Sequence, residues 1–138
     1  MENSKLTNPS LTELVQNGRF DEVVLYLSGL EKSRALRPLE LVLKGRAIQL
    51  GSEVMSLPIE AAEEAFRAAL ADDPDYVPAL LELGWFLHSV KDDSAQALPF
   101  FSRALDISRR SVKEAAKGKE ECSKEAESDF PVPPRIDK

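Results

Sequence analysis

Apolar residues recur at intervals of three and four along most of the chain, a spacing that predicts a series of amphipathic α-helices. The most regular part runs from residue 60 to residue 105, and it contains one pattern twice. In each copy an alanine precedes a phenylalanine by four residues, and a second alanine and a leucine follow. The two copies are Ala62, Phe66, Ala69 and Leu70, and then Ala97, Phe101, Ala104 and Leu105.

Residues four apart lie on the same face of a helix, so each alanine–phenylalanine pair places a small and a large group side by side. The alanine allows a neighbouring helix to approach, and the phenylalanine fills the space beside it. Between the two copies lies a leucine stripe that contains Gly84, where we expect the closest contact with the neighbouring hairpin. The stripe consists of Leu80, Leu83, Gly84 and Leu87.

Together these pieces resemble the tetratricopeptide repeat (TPR), W-x2-L-G-x2-Y…A-x3-F…P, a helical hairpin of about 34 residues. Ala62 and Ala97 are 35 residues apart, close to that period. The resemblance implies an all-α fold of antiparallel helical hairpins in a TPR-like right-handed α-superhelix, with a solvating C-terminal helix. An ordinary helical bundle is the competing interpretation.

Local signals divide the chain into a flexible lead-in (1–9), a TPR-like helical domain (10–128) and an extended proline-rich tail (129–138). Capping residues and helix breakers predict where the helices begin and end. We expect starts at Ser10, Asp21, Pro38, Pro58, Asp75 and Asp93, and ends at Gly18, Gly51, Pro74 and about Val90. Met55 and Leu57, in the turn after Gly51, are candidates to pack onto the core.

Several positions depart from the repeat pattern: Lys44, Leu80, the long turn after Gly51, Pro99 and Arg109. Because proline removes a backbone donor, Pro99 predicts a kink or a late start of its helix. Nothing after Leu105 must stop a helix. The following residues therefore form a separate last helix, a continuous extension or a partly disordered helix.

Length, composition and charge argue against some classes of function. The 138 residues suggest one domain, with 43% hydrophobic and 30% charged residues. A net charge of −6 argues against nucleic acid as a partner, because phosphate binding needs a surplus of lysine and arginine. No apolar run approaches a membrane span, so membrane insertion is not expected. With no secretory signal and a single cysteine, Cys122, we predict a cytoplasmic protein.

No catalytic set is recognisable, so we predict that the protein is not an enzyme and uses no cofactor or metal. The single histidine, His88, and Cys122 fall on helices that need not meet. The carboxylates Asp72, Asp73 and Asp75 coincide with the aspartate–proline corner of the repeat, where capping explains them better than a calcium site does.

Binding is the activity that the resemblance implies, because TPR hairpins stack into a curved array whose first helices line a concave groove. We expect a protein or peptide partner there, with an amphipathic helix as one suitable shape. Whether Trp85 lies in the groove or in the core is open, and so is the choice between monomer and homodimer. The expected partner-binding residues are Val42, Arg46, Gln49, Leu81, Trp85, His88 and Ser89.

Two further functions stay open. Size and charge also suit a small acidic chaperone or an immunity-type protein that neutralises a dedicated partner. A structural, self-assembling protein is the other alternative, through the last helix or through the apolar residues Phe130, Val132 and Ile136 of the tail.

Overall fold

The computed structural model describes residues 10–51 and 57–129, with side chains through Ala126. Its described residues are helical and contain no strand, which confirms the all-α prediction. The order is α1 (Leu11–Gln16), α2 (Phe20–Glu31), α3 (Pro38–Leu50), α4 (Glu60–Asp72), α5 (Val77–Trp85) and α6 (Ser94–Asp129), with a π-helical segment at Phe86–Val90 that follows α5 directly.

Most predicted boundaries are confirmed by the hydrogen bonds at the helix ends. The Ser10 hydroxyl accepts the Glu13 amide at 3.2 Å, and the Glu13 carboxylate accepts the Ser10 amide at 3.0 Å, which is a complete capping box. Gly18 follows α1 with φ of 70°, a conformation that favours glycine. Asp93 likewise accepts the Gln96 amide at 3.0 Å and precedes α6.

Two of the predicted capping residues were wrong. Helix α2 begins one residue before Asp21, which therefore lies inside the first turn. Helix α5 begins after Tyr76 with no side-chain cap. Asp75 instead pairs with Arg103 of α6, so its carboxylate joins the turn between α4 and α5 to α6.

The long turn after Gly51 differs from its prediction where the structure describes it. Leu57 is 42% exposed and does not pack onto the core, and Met55 lies outside the described residues.

Helix α6 passes through Pro99 without interruption, so the predicted late start is wrong. Pro99 and Ala95 are both exposed. The Ala95 carbonyl, which loses its partner amide at Pro99, therefore lies where water can reach it. The helix also continues past Leu105 to Asp129, which selects the continuous extension among the three possibilities.

The buried side chains form three clusters that join successive helices. One lies between α1, α2 and α3, and another joins α4, α5 and the start of α6 around Phe66. The third joins α3, α4 and α5 through Val42, Ala69 and Ala79. Helices therefore pack against their sequence neighbours, and α3 also contacts α5.

Two glycines receive an aromatic ring of the next helix at close range. A Cβ atom at Gly45 of α3 would lie 2.4 Å from the Phe66 ring of α4, and one at Gly84 of α5 would lie 2.8 Å from the Phe101 ring of α6. The prediction placed Gly84 against a neighbouring hairpin. It contacts its own sequence partner instead, because the facing position belongs to the phenylalanine of the next helix.

The chain divides into two compact units, one through Ala104 and one from Leu105 onward. Every buried hydrophobic residue of the described part belongs to the first unit. In the second unit, the described side chains from Arg109 to Ala126 are all exposed.

Candidate interaction surface

Helix α5 and the π-helical segment divide their side chains between a buried and an exposed face. Leu80, Leu83 and Leu87 are buried at 2% exposure or less. Leu81 and Trp85 are 40% and 57% exposed, and His88 and Ser89 are also exposed. Helical spacing thus puts all four predicted residues of this helix outside the core.

Trp85 is exposed but is held between two neighbouring rings. Its ring meets Phe101 edge-on at a centroid distance of 5.1 Å and His88 at 5.8 Å. Such pairs favour one ring orientation. Trp85 therefore presents one aromatic surface to solvent while its other contacts are within the protein.

The π-helical segment sets the position of His88. The Lys91 amide donates to the Phe86 carbonyl at 3.1 Å, a bond that closes the wider turn. His88 Nδ1 lies 2.9 Å from the Ser94 hydroxyl at the start of α6. The imidazole is therefore fixed to the next helix while its ring stays exposed. Such wide turns occur often at functional sites.

Helix α3 contributes Arg46 to the vicinity of this face. Arg46 Nε lies 3.4 Å from Glu82 Oε2, across the contact between α3 and α5. Burial raises the pKa of Glu82, and the positive charge of Arg46 opposes that shift. The pair is partly exposed, so its contribution to stability is small.

The other two predicted residues of α3 are less available. Gln49 is half-buried. Val42 is only 3% exposed because it packs against Ala69 and Ala79, so it belongs to the core and offers no binding surface. The prediction assumed that equivalent positions of α3 and α5 are equally exposed. Val42 of α3 is buried by α4 and α5, whereas the equivalent Leu81 of α5 is exposed.

Sequence reasoning missed three partners that shape the surface: Phe101 beside Trp85, Glu82 beside Arg46, and Ser94 beside His88. Phe101 carried a signal, since it belongs to the repeated pattern. Glu82 and Ser94 carried none, because only the packing of separate helices brings them to these positions.

The described residues do not form a metal-binding cluster. No group of three or more histidine, cysteine, aspartate or glutamate side chains among them could hold a metal ion. Cys122 is exposed, with a free thiol. Within the part of the chain that the structure describes, no helix combines the length and apolarity needed to cross a membrane.

Comparison with known proteins adds no family to this description. No protein-family model matches the chain, and no curated protein and no solved structure is significantly similar to it.

Proposed function

We propose that the protein is a non-enzymatic, cytoplasmic binding module of TPR type that docks a peptide or amphipathic helix on the exposed face of α5. Two equivalent contacts support the TPR-type arrangement. Gly45 meets Phe66 and Gly84 meets Phe101, so each glycine of one helix receives the phenylalanine of the next.

The observation that carries the binding proposal is the exposure of Trp85. A large aromatic side chain that is 57% exposed yet held by Phe101 and His88 loses little conformational freedom when a partner covers it. Tryptophan is also among the residues that contribute most to binding at protein interfaces.

The neighbours of Trp85 suit a partner with one apolar stripe. Leu81 extends the apolar surface by one helical turn, while His88, Ser89 and Arg46 lie around it with polar groups. A helix that places leucine-sized side chains on Leu81 and Trp85 would leave its polar flank beside these groups. Arg46 already pairs with Glu82, so a partner carboxylate would have to share it.

Trp85 is the single tryptophan, so its fluorescence reports directly on this face. Helical peptides selected from a displayed library on the full chain should shift Trp85 emission to shorter wavelength as they bind. Trp85→Ala should abolish selection while costing about 1 kcal/mol of folding stability, since it removes edge contacts and no buried core.

Leu25→Ala is the matched control, because Leu25 is 59% exposed on α2, away from this face. It should leave peptide binding unchanged. Peptides that bind with equal affinity to the wild type and to Trp85→Ala, or that leave the fluorescence unchanged, would contradict the proposed site.

A further inference from the structure

The described part of the second unit, residues 105–129, is the C-terminal part of α6. From Arg109 to Ala126 every side chain is exposed, and an exposed ion pair joins Lys124 to Glu120 at 3.9 Å. Helices gain most of their stability from packing one face. A helix of this kind therefore gains from a second surface that covers it.

One face of this helix carries a line of mostly apolar and small residues. They follow alternating steps of three and four residues, which is the seam of a coiled coil. Leu105 and Val112 are 50% and 69% exposed. Lys119 is the one charged residue among the seam positions. The seam consists of Leu105, Ser108, Val112, Ala115, Lys119, Cys122 and Ala126.

We infer that this seam pairs with the same seam of a second copy of the chain, with the two helices antiparallel. The charges indicate the direction. By sequence, residues 105–117 carry four basic and two acidic residues, and residues 118–129 carry two basic and five acidic residues. Antiparallel pairing places the basic half of each helix beside the acidic half of the other.

Lys119 gives a second reason for antiparallel pairing. In a parallel pair it would face the same lysine of the other copy, with two like charges in the seam. In an antiparallel pair that sets Val112 opposite Cys122, Lys119 faces Ala115, and its long side chain can extend past the small residue to solvent. The interaction is independent of the proposed peptide site on α5.

Sedimentation equilibrium of the full chain tests the association. The wild type should dimerise, and Val112→Asp should raise the dissociation constant at least about tenfold, since it puts a charge into the seam. Val112→Leu keeps the seam apolar and should preserve the dimer. A wild-type chain that stays monomeric at the highest attainable concentration would overturn the inference, as would an unchanged dimer in Val112→Asp.

Two measurements test whether the helices pair antiparallel: the salt dependence of the dimer and cross-linking through cysteines. Raising sodium chloride from low to high concentration should weaken an antiparallel dimer, whereas a parallel dimer, with like halves adjacent, should strengthen. Under mild oxidation, Val112→Cys with the native Cys122 should form covalent dimers. The wild type and Val112→Cys/Cys122→Ser should not. Efficient cross-linking through Cys122 alone would show parallel pairing and overturn the assigned direction.

Discussion

At the scale of single residues, the fold depends on two glycines that have no room for a side chain. Gly45 meets the fully buried Phe66 and Gly84 meets the half-buried Phe101. Gly29, in contrast, has no atom within 4 Å of an added Cβ. The same residue type is therefore required by packing at two positions and not at the third.

Alanine substitutions should separate these cases. Gly45→Ala should lower the free energy of unfolding by about 1–3 kcal/mol, because the Phe66 ring cannot move without disturbing its cluster. Gly84→Ala should cost less, since Phe101 is closer to solvent. Gly29→Ala should gain up to about 1 kcal/mol from helix propensity. Urea denaturation measures all three, and equal effects at Gly45 and Gly29 would contradict the packing argument.

Among the described residues, Glu40 has the most strongly shifted pKa. The Arg34 guanidinium donates to its carboxylate at 2.7 and 2.9 Å and the Arg37 amide at 2.8 Å, which lowers the pKa of Glu40 from 4.5 to about 2. The ionised carboxylate is thus favoured in the folded chain. Its contribution to stability is complete above pH 4.5 and is lost as the pH falls to about 2.

Substitution of Glu40 or Arg34 should weaken the loss of unfolding free energy that the wild type shows as the pH falls. We expect Glu40→Gln to lose stability at neutral pH and to show a smaller decrease than the wild type between pH 4.5 and 2. Arg34→Gln should behave similarly, because it removes the main donor. Urea midpoints at several pH values give the comparison. A Glu40→Gln curve parallel to the wild type would exclude the assigned role.

At the scale of elements, α6 shows that a strong local breaker need not end a helix. Pro99 lies in its second turn, and the helix both precedes and follows it. The Asp93 cap fixes the first turn, while Ala97 and Ala104 are buried against the first unit's core. Burial on both sides of Pro99 compensates for the backbone bond that proline removes.

Replacing this proline should therefore stabilise the protein. Pro99→Ala restores the amide for the Ala95 carbonyl and should raise the free energy of unfolding by about 1–3 kcal/mol. Pro78→Ala is the control, since Pro78 lies in the first turn of α5, where the amide has no helical partner. It should change stability little. A destabilised Pro99→Ala variant would show that the proline is needed for the shape of α6.

At the scale of the whole molecule, the two units differ in what keeps them folded. The first contains all the buried hydrophobic residues of the described part, and in the second the described side chains from Arg109 to Ala126 are exposed. Removal of residues 111–138 should therefore lower the helical content. It should change the free energy of unfolding of dilute protein by less than about 0.5 kcal/mol.

Trp85 fluorescence follows the unfolding of the first unit, and far-ultraviolet circular dichroism measures the loss of helix. A shortened chain that unfolds at clearly lower urea would show that residues beyond Arg110 stabilise the first unit.

Helix positions and most of their ends follow from the sequence alone, because capping residues, glycines, prolines and apolar spacing act locally. The capping box at Ser10, the positive φ at Gly18 and the start at Pro38 are examples. The alanines of the repeated pattern and Phe66 are buried for the same reason, since they recur on one face, whereas Leu105 of the same pattern is 50% exposed. The all-α class was predictable from these local signals.

Tertiary structure decided what depends on residues far apart in the chain. It buried Val42 and left Leu81 40% exposed, although both hold equivalent positions in the repeat. It paired Asp75 with Arg103 and continued α6 through Pro99. Each outcome depends on which surface a neighbouring helix covers, and spacing along a single helix carries no information about that surface.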